Sequence, residues 1–515
     1  MNKQILSFIS IALLITSQSL AQKRYNCGCT VEQVQTNSVE SFNGKDYLNV
    51  ITVSPGDDLR AILIGLSDST TVLIEDGEYR VTTDYYGYPY VTASNLIIRS
   101  KSGNRDAVVL YGGGMKDTED PDSQTENGFY AVGHNVTIAD LTFKEFADHA
   151  IAVNGDSLFI HNVRFVDIYE QFLKGNAPKG VDDSTAPDGT DIGADFGTVQ
   201  CCLFENTEST GKDWYTGGID IHQANEWLIR DNVFKNIGSP GTPGNERVAE
   251  HAIHLWKGCV DNIIERNLII NCDRGIGLGL TSDPVNGNLR GIIRNNMVYH
   301  EGGLAYPYND VGIEVANSPG TKIYNNTVYV AYSNSIEYRW PETKDVVITN
   351  NLTNGAIRSR DNAQAVSLTN VTNAKANWFV DLSSGNLRLA SNISTVVNRG
   401  TTIPEVTDDI DKTERSAASK YDIGAHEYGV TSSKLISVNN TEDNVSISPN
   451  PTFNVFTVAI KNDVLKNVYV YNKAGQLLKE GTSDTIDITN FSDGCYFLKI
   501  TLQSGKTVTR KVVKK

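Results

Sequence analysis

Three of the eight histidines in this chain, His222, His251 and His254, fall in two neighbouring phrases, GGIDIHQ and HAIHLWKG. Asp220, Glu250, Trp256 and Lys257 accompany them, and the next phrase, RGIGLG, begins at Arg274. Each phrase alternates apolar and polar residues, and along a strand alternate side chains face opposite ways. Taking Ile219, Ile253, Ile276, Ile313 and Ile336 as inward places Asp220, His254, Gly277, Glu314 and Glu337 outward in one column. His222, Trp256, Gly279, Ala316 and Arg339 form a second column two residues on, with His251 and Arg274 just before their strands. Gly277 and Gly279 are expected to leave a bare floor.

These residue types suit elimination from a uronic acid polymer. That reaction needs the sugar carboxylate neutralised, a base for the adjacent proton and an acid for the leaving oxygen. Arg274 is the expected neutraliser, because a guanidinium fork pairs carboxylates bidentately and stays charged. His254 is the expected base, with Asp220 orienting its ring. His251, Lys257 or Tyr215 could return the proton. His222, Tyr215, Trp256, Lys174 and Arg339 are expected to bind substrate, the aromatic rings by stacking on a pyranose and Lys174 by meeting a second carboxylate. On this reading His254→Ala abolishes turnover in a folded protein. An isolated outward histidine is ordinarily a solvated side chain, so the argument rests on the cluster. Arg230 and Arg266, in the turn phrases, read as surface residues.

Other chemistries stay open. Hydrolysis needs two carboxyl groups roughly 5 Å or roughly 6.5–9.5 Å apart. Strands of neighbouring coils lie about 4.8 Å apart, which puts Asp220 and Glu314, three coils apart, out of range at about 14 Å and leaves Glu314 with Glu337. A metal is a further possibility. Asp220, His222, His254 and Glu250 offer nitrogen and oxygen donors, although His251 and His254 at His-x-x-His spacing make a weak signal on a strand. The acidic loop of Asp182, Asp183, Asp188, Asp191 and Asp195 offers oxygens to calcium, or is simply solvated. A non-catalytic adhesin would show repeated aromatic residues along a groove and would not need this polar cluster.

The element that must position these residues is visible as a repeat: LIRDN from Leu228, IIERN from Ile263, IIRNN from Ile292, KIYNN from Lys322 and VITNN from Val347. Looser copies, VTIADL, LFIHNV and TVQCCL, precede them. Irregularly spaced coils that cannot bury an apolar face alone make a continuous core when stacked, with asparagines hydrogen-bonding up the stack at one bend. The expected fold is all-β, a right-handed parallel β-helix with a groove, followed by a small C-terminal antiparallel β-sandwich. Cys202 falls at the asparagine position and reads as a buried stacking residue. The stretch from Ile51 to Leu66 reads as a strand and helix capping the open end, with coils from about Thr71 to Gly429 and DIGAHEYG closing the far end.

At 515 residues with a net charge of -16, the chain has material for a large core and no basic surface of the kind nucleic acid requires. Residues 1–21 carry an early lysine, a short apolar run and a small-residue exit, so they read as a signal peptide rather than a membrane span. A lead-in (22–48), the β-helix (49–429), a polar linker (430–443) and the tail (444–515) follow. No later segment is apolar enough to cross a bilayer, and a monomer is expected.

The tail contains SPNPT from Ser448, VYVYNKAGQLL from Val468, DGCYFLKI from Asp493 and a basic end, RKVVKK. In that order these resemble the C-terminal sorting domain of the type IX secretion system of Bacteroidetes. The resemblance implies the type IX machinery as a partner, and a secreted or cell-surface location after passage through the periplasm. The body resembles the pectate-lyase-like superfamily of β-helices, mostly polysaccharide lyases, which implies an anionic polysaccharide as substrate. Fold alone does not fix that activity.

Overall fold

The computed structural model describes residues 41–514 except 43–44, 47, 116–123, 177–193, 303–307, 333, 417–418, 430–444 and, in the tail, 449–451, 453, 461–462, 473–476, 493 and 504–506. The expected signal peptide and linker, and four of the five aspartates of the acidic loop, lie outside the described residues. The fifth, Asp195, accepts hydrogen bonds from the backbone and side chain of Asn225.

Each coil contributes one strand to each of three parallel sheets, of 12, 10 and 10 strands. One coil runs Leu228–Arg230, Val233–Lys235 and His251–Trp256; the next runs Ile263–Glu265, Leu268–Ile270 and Arg274–Leu278. Parallel strands joined in this way wind to the right, and the architecture is the right-handed parallel β-helix. The central isoleucines of the repeat phrase, Ile229, Ile264, Ile293, Ile323 and Ile348, are fully buried on the first sheet. The second sheet adds a column of rings, Phe143, Phe165, Phe204 and Phe234, stacked with centroids 4.5 to 5.7 Å apart. Each such side chain contributes about 1.5–3 kcal/mol by leaving water.

The bend between the first two sheets explains the doubled asparagine. The first residue of the pair has left-handed backbone, as at Asp231, Arg266, Asn295, Asn325 and Asn350, and Asn and Asp tolerate that region better than most. The second points inward and joins a ladder in which each side-chain amide donates to the next carbonyl oxygen at 3.0 Å, from Asn232 through Asn267, Asn296, Asn326 and Asn351 to Asn370. Cys202 is buried at the ladder's start, its N–H donating to Asn232. At the N-terminal end, Leu59–Ile64 forms a helix capped by Asp58, with Leu59 and Leu63 buried on the core.

The far end departs from expectation. The last parallel strand is Ala365–Leu368, so the coils stop well before Gly429. An antiparallel pair, Phe379–Asp381 with Asn386–Leu389, follows. The segment packs Phe379, Leu387, Leu389 and Ile423 on Ile270, Met297 and Tyr299, apolar residues that face outward from the second sheet. DIGAHEYG therefore does not close the last coil. It lies along the asparagine bend, where Gly424 donates to the Asn350 carbonyl and Ala425 to Thr327 Oγ1.

One compact unit reaches Val430 and a second begins at Thr431. The second holds antiparallel sheets of three and four strands around Phe456, Val468, Val470, Leu498 and Ile500.

Candidate active site

The third sheet carries the histidine cluster in the expected register. Asp220 pairs with His254, His254 with Gly277, Gly277 with Glu314 and Glu314 with Glu337, while His222 pairs with Trp256 and His251 with Arg274. Lys174, on strand Gln171–Gly175, lies directly opposite Asp220 on the preceding coil. One irregularity matters. Ala252 and Ile253 both belong to the core, and a Cβ added at the matching Gly275 or Gly312 would meet core valines. Two consecutive inward residues shift the alternation by one, so His251 and His254 share the outward face, their rings 4.5 Å apart. Their spacing is therefore not the weak signal that strict alternation makes it.

Asp220 is the hub. Its Oδ2 takes an ion pair from Lys174 and lies 3.4 Å from His222 Nε2, and its Oδ1 accepts from Trp256 Nε1 at 2.8 Å. Burial alone would raise this carboxyl, but Lys174, His222 and His254 outweigh burial and hold it well below the usual carboxylate range. Lys174 Nζ also lies 3.2 Å from His222 Nε2. An ammonium can only donate, so neutral His222 accepts at Nε2 and carries its proton on Nδ1. Burial lowers the His222 pKa, which favours that neutral form.

His254 is placed differently from the expected Asp220-oriented base. Its Nε2 lies 3.1 Å from the Gly279 carbonyl and must donate there. Nδ1 is left bare, 3.8 Å from Asp220 and 3.7 Å from Glu250, too far for a hydrogen bond to either. Burial, with His251 beside it, pushes its pKa down to about 3. His251 is 1% exposed, and burial with Arg274 nearby brings it also to about 3. Its ring occupies the space over Gly277, where a Cβ would stand 2.7 Å away, so the expected bare floor is filled. Gly279 has φ +71°, and a Cβ there would collide with the Ala316 carbonyl.

Trp256 is less open to sugar than expected, because one face stacks on His254 at 5.3 Å with planes 5° apart. The Lys257 ammonium lies 5.1 Å from the same indole. Tyr215 receives Gln171 Nε2 on its carbonyl, and burial among Asp220, Glu250 and Glu170 raises its phenol, keeping it protonated. Arg274 meets Asp310 through Nε at 3.2 Å. Arg339 lies 3.7 Å from Glu314 and 3.1 Å from Asp361. Glu337 accepts from Arg360 at 2.8 Å, so both carboxylates of the expected hydrolytic pair face an arginine.

Sequence reasoning passed over Glu170, one coil before Asp220, and Asp148 and His149, two coils before it, whose donor atoms lie within 4.8 Å of one another. Burial and Asp148 raise Glu170 to about 7. Their signal was a DH phrase and a YEQ phrase in equivalent places on successive coils.

Residues 446–515 match the family described as "Secretion system C-terminal sorting domain". The tail is a sorting domain. No curated protein matches the chain significantly. Among solved structures, the chain is similar to the alginate lyase from Paenibacillus sp. str. FPU-7, at 14% identity and TM-score 0.39, over 62% of this chain and 99% of that one. It is similar to pectate lyase Pel9A at 15% identity and TM-score 0.41, over 75% and 97%. It is also similar to PfbA, a surface adhesin of Streptococcus pneumoniae, at 13% identity and TM-score 0.33, over 62% and 91%. Among the described residues no helix is long and apolar enough to cross a membrane.

Proposed function

We propose that this chain is a polysaccharide lyase, exported by type IX secretion to the cell surface or medium, that cleaves an anionic, uronic-acid-containing polysaccharide by β-elimination. The observation that carries the reading is the buried chain of Asp220, Lys174 and His222 on the outward face of one sheet, with Arg274 two coils further on. An acid and a base 3.2 Å apart can serve one sugar ring from one side.

The roles follow from the contacts. His222 Nε2, whose lone pair faces Lys174 in the resting state, takes the proton beside the sugar carboxylate. Lys174, ion-paired with Asp220, gives a proton to the leaving glycosidic oxygen. The C–O bond breaks as the ring double bond forms, and the pair is reset by proton exchange with water. Arg274, whose guanidinium is engaged among the described residues by a half-exposed Asp310, meets the substrate carboxylate. His222 replaces His254 as the base because its Nε2 lies beside both the Lys174 acid and Asp220, whereas Asp220, 3.8 Å from His254 Nδ1, does not orient the His254 ring. The hydrolytic alternative has less support, since Glu314 faces Arg339 and Glu337 is ion-paired with Arg360.

The test is to incubate the exported protein with a panel of uronic acid polysaccharides and follow ultraviolet absorbance of unsaturated uronide ends. A rise on one polymer, lost in His222→Ala, supports the reading and names the substrate. New reducing ends without absorbance would replace elimination by hydrolysis, and neither signal on any polymer would remove the lyase reading.

A further inference from the structure

Glu250, His251 and His254 stand together beside the proton-transfer chain, and donor atoms from the three lie within 4.8 Å of one another. Their hydrogen bonding is incomplete. Both ring nitrogens of His251 are buried without a hydrogen-bond partner among the described residues. His254 gives its one proton to the Gly279 carbonyl and turns a bare Nδ1 toward Glu250 at 3.7 Å and Asp220 at 3.8 Å. Lone pair facing carboxylate is repulsive, and orphaned buried nitrogens cost free energy unless something donates to them. Asp220 cannot help, being occupied by Lys174 and Trp256. Glu314, 3.6 Å from His251 Nε2, adds a further oxygen at the rim.

We propose that Glu250, His251 and His254 bind a divalent transition-metal ion of the zinc type. Two imidazole nitrogens and one carboxylate oxygen match the donors such ions prefer, whereas calcium takes about 6–8 oxygens. Ligands about 2.0–2.1 Å from a tetrahedral ion stand about 3.3 Å apart, so the 3.7 Å between His254 Nδ1 and Glu250 closes with a small side-chain movement. The Gly279 carbonyl fixes the His254 tautomer and aims Nδ1, as outer partners of metal-bound histidines do. Three protein ligands leave a position open. On the lyase reading, and resting on it, that position takes an oxygen of the substrate carboxylate and shares its neutralisation with Arg274. The set differs from the Asp220, His222, His254 and Glu250 grouping expected from sequence, because Lys174 already holds Asp220 and His222.

The experiment is calorimetric titration of the full chain, stripped with chelator, with Zn2+, and separately with Ca2+. A Co2+ titration of the unmodified protein, followed by visible absorption, reports imidazole coordination without any variant. About one equivalent of Zn2+, bound at least tenfold more weakly by Glu250→Gln and by His251→Ala and unchanged in Arg230→Ala, is expected. Losing even an outer partner of a metal ligand typically weakens affinity by about 10–100-fold, and losing a ligand itself should cost at least as much. No stoichiometric Zn2+ binding and no visible Co2+ band, or binding indifferent to both substitutions, would overturn the site. Because the readout is binding, it stands or falls separately from turnover: a zinc-binding protein that cleaves nothing would sink the lyase reading alone.

Discussion

Two regions of the β-helix bury charged and amide side chains, and they finish the job differently. Along the asparagine bend every ladder amide has partners, and Arg266 is held by Asp231, Glu265 and Asp408 at 2.6 to 3.0 Å. On the third sheet, His251 has no hydrogen-bond partner among the described residues, His254 presents a bare nitrogen to carboxylates and Glu170 sits beside Asp148 with its pKa raised to about 7. Saturated polar networks fix a fold, whereas buried polar groups left wanting are tolerated where a ligand or reaction completes them. The first region reads as structure and the second as function.

That contrast breaks most sharply under substitution. His222→Ala should reduce kcat by about 10²–10⁴-fold, the usual worth of a positioned base, while urea unfolding shifts little, because Lys174 keeps Asp220. Steady-state rates on the polymer that gives the ultraviolet signal measure it, and a variant with unaltered kcat would remove His222 from the chemistry. Arg266→Ala should do the reverse. Removing one partner of a buried pair costs about 3–5 kcal/mol, here read as a lower urea midpoint with kcat unchanged in the folded protein.

Arg266 also marks where sequence stops being legible. Its phrase, IIERN, placed it correctly at a bend, and bends of this kind are normally wet. Asp408, which covers it, arrives from 142 residues away in a segment that the coil pattern did not announce. The outward column from Asp220 to Glu337 was legible because an isoleucine in each phrase, with a large apolar or aromatic residue two positions on, fixes strand register. The common face of His251 and His254 was not, because Ala252 beside Ile253 gives no sign that both turn inward. Lys174 could be named but not paired, since the long loop after it hides which coil comes next.

A smaller effect tests the ladder. Asn296 accepts from the Asn267 backbone and side chain and donates to Asn326 Oδ1 and the Ile264 carbonyl. Asn296→Ala should cost about 1–3 kcal/mol for the groups left unsatisfied, again with kcat intact. A fall in kcat larger than the fall in folded fraction would show that the bend and the site are coupled. The acid limb of kcat/KM discriminates further. A neutral His222 is required, and its pKa is lowered by burial, so activity should persist below about pH 6.5, the ordinary imidazole value. A limb at or above that value would assign the titration to another group.

The finest test makes one kind of change in both regions. Glu170 has its folded pKa raised to about 7 by burial and Asp148, so the folded state holds this proton more tightly than the unfolded chain does. Its contribution favours folding at low pH and is lost as pH rises from about 4.5 to about 7. Glu170→Gln, which imitates the protonated acid, should therefore raise the thermal midpoint at pH 8 and leave it nearly unchanged at pH 4. Asp231→Asn replaces an acid by its amide where Arg266 and Lys412 need the charge, although Asn tolerates the left-handed backbone equally well. It should lower the midpoint at pH 8. Opposite signs follow from the same chemical substitution because one carboxyl is buried beside a like charge and the other is held by cations; equal signs would mean that the two regions are not distinguished by how their charges are satisfied.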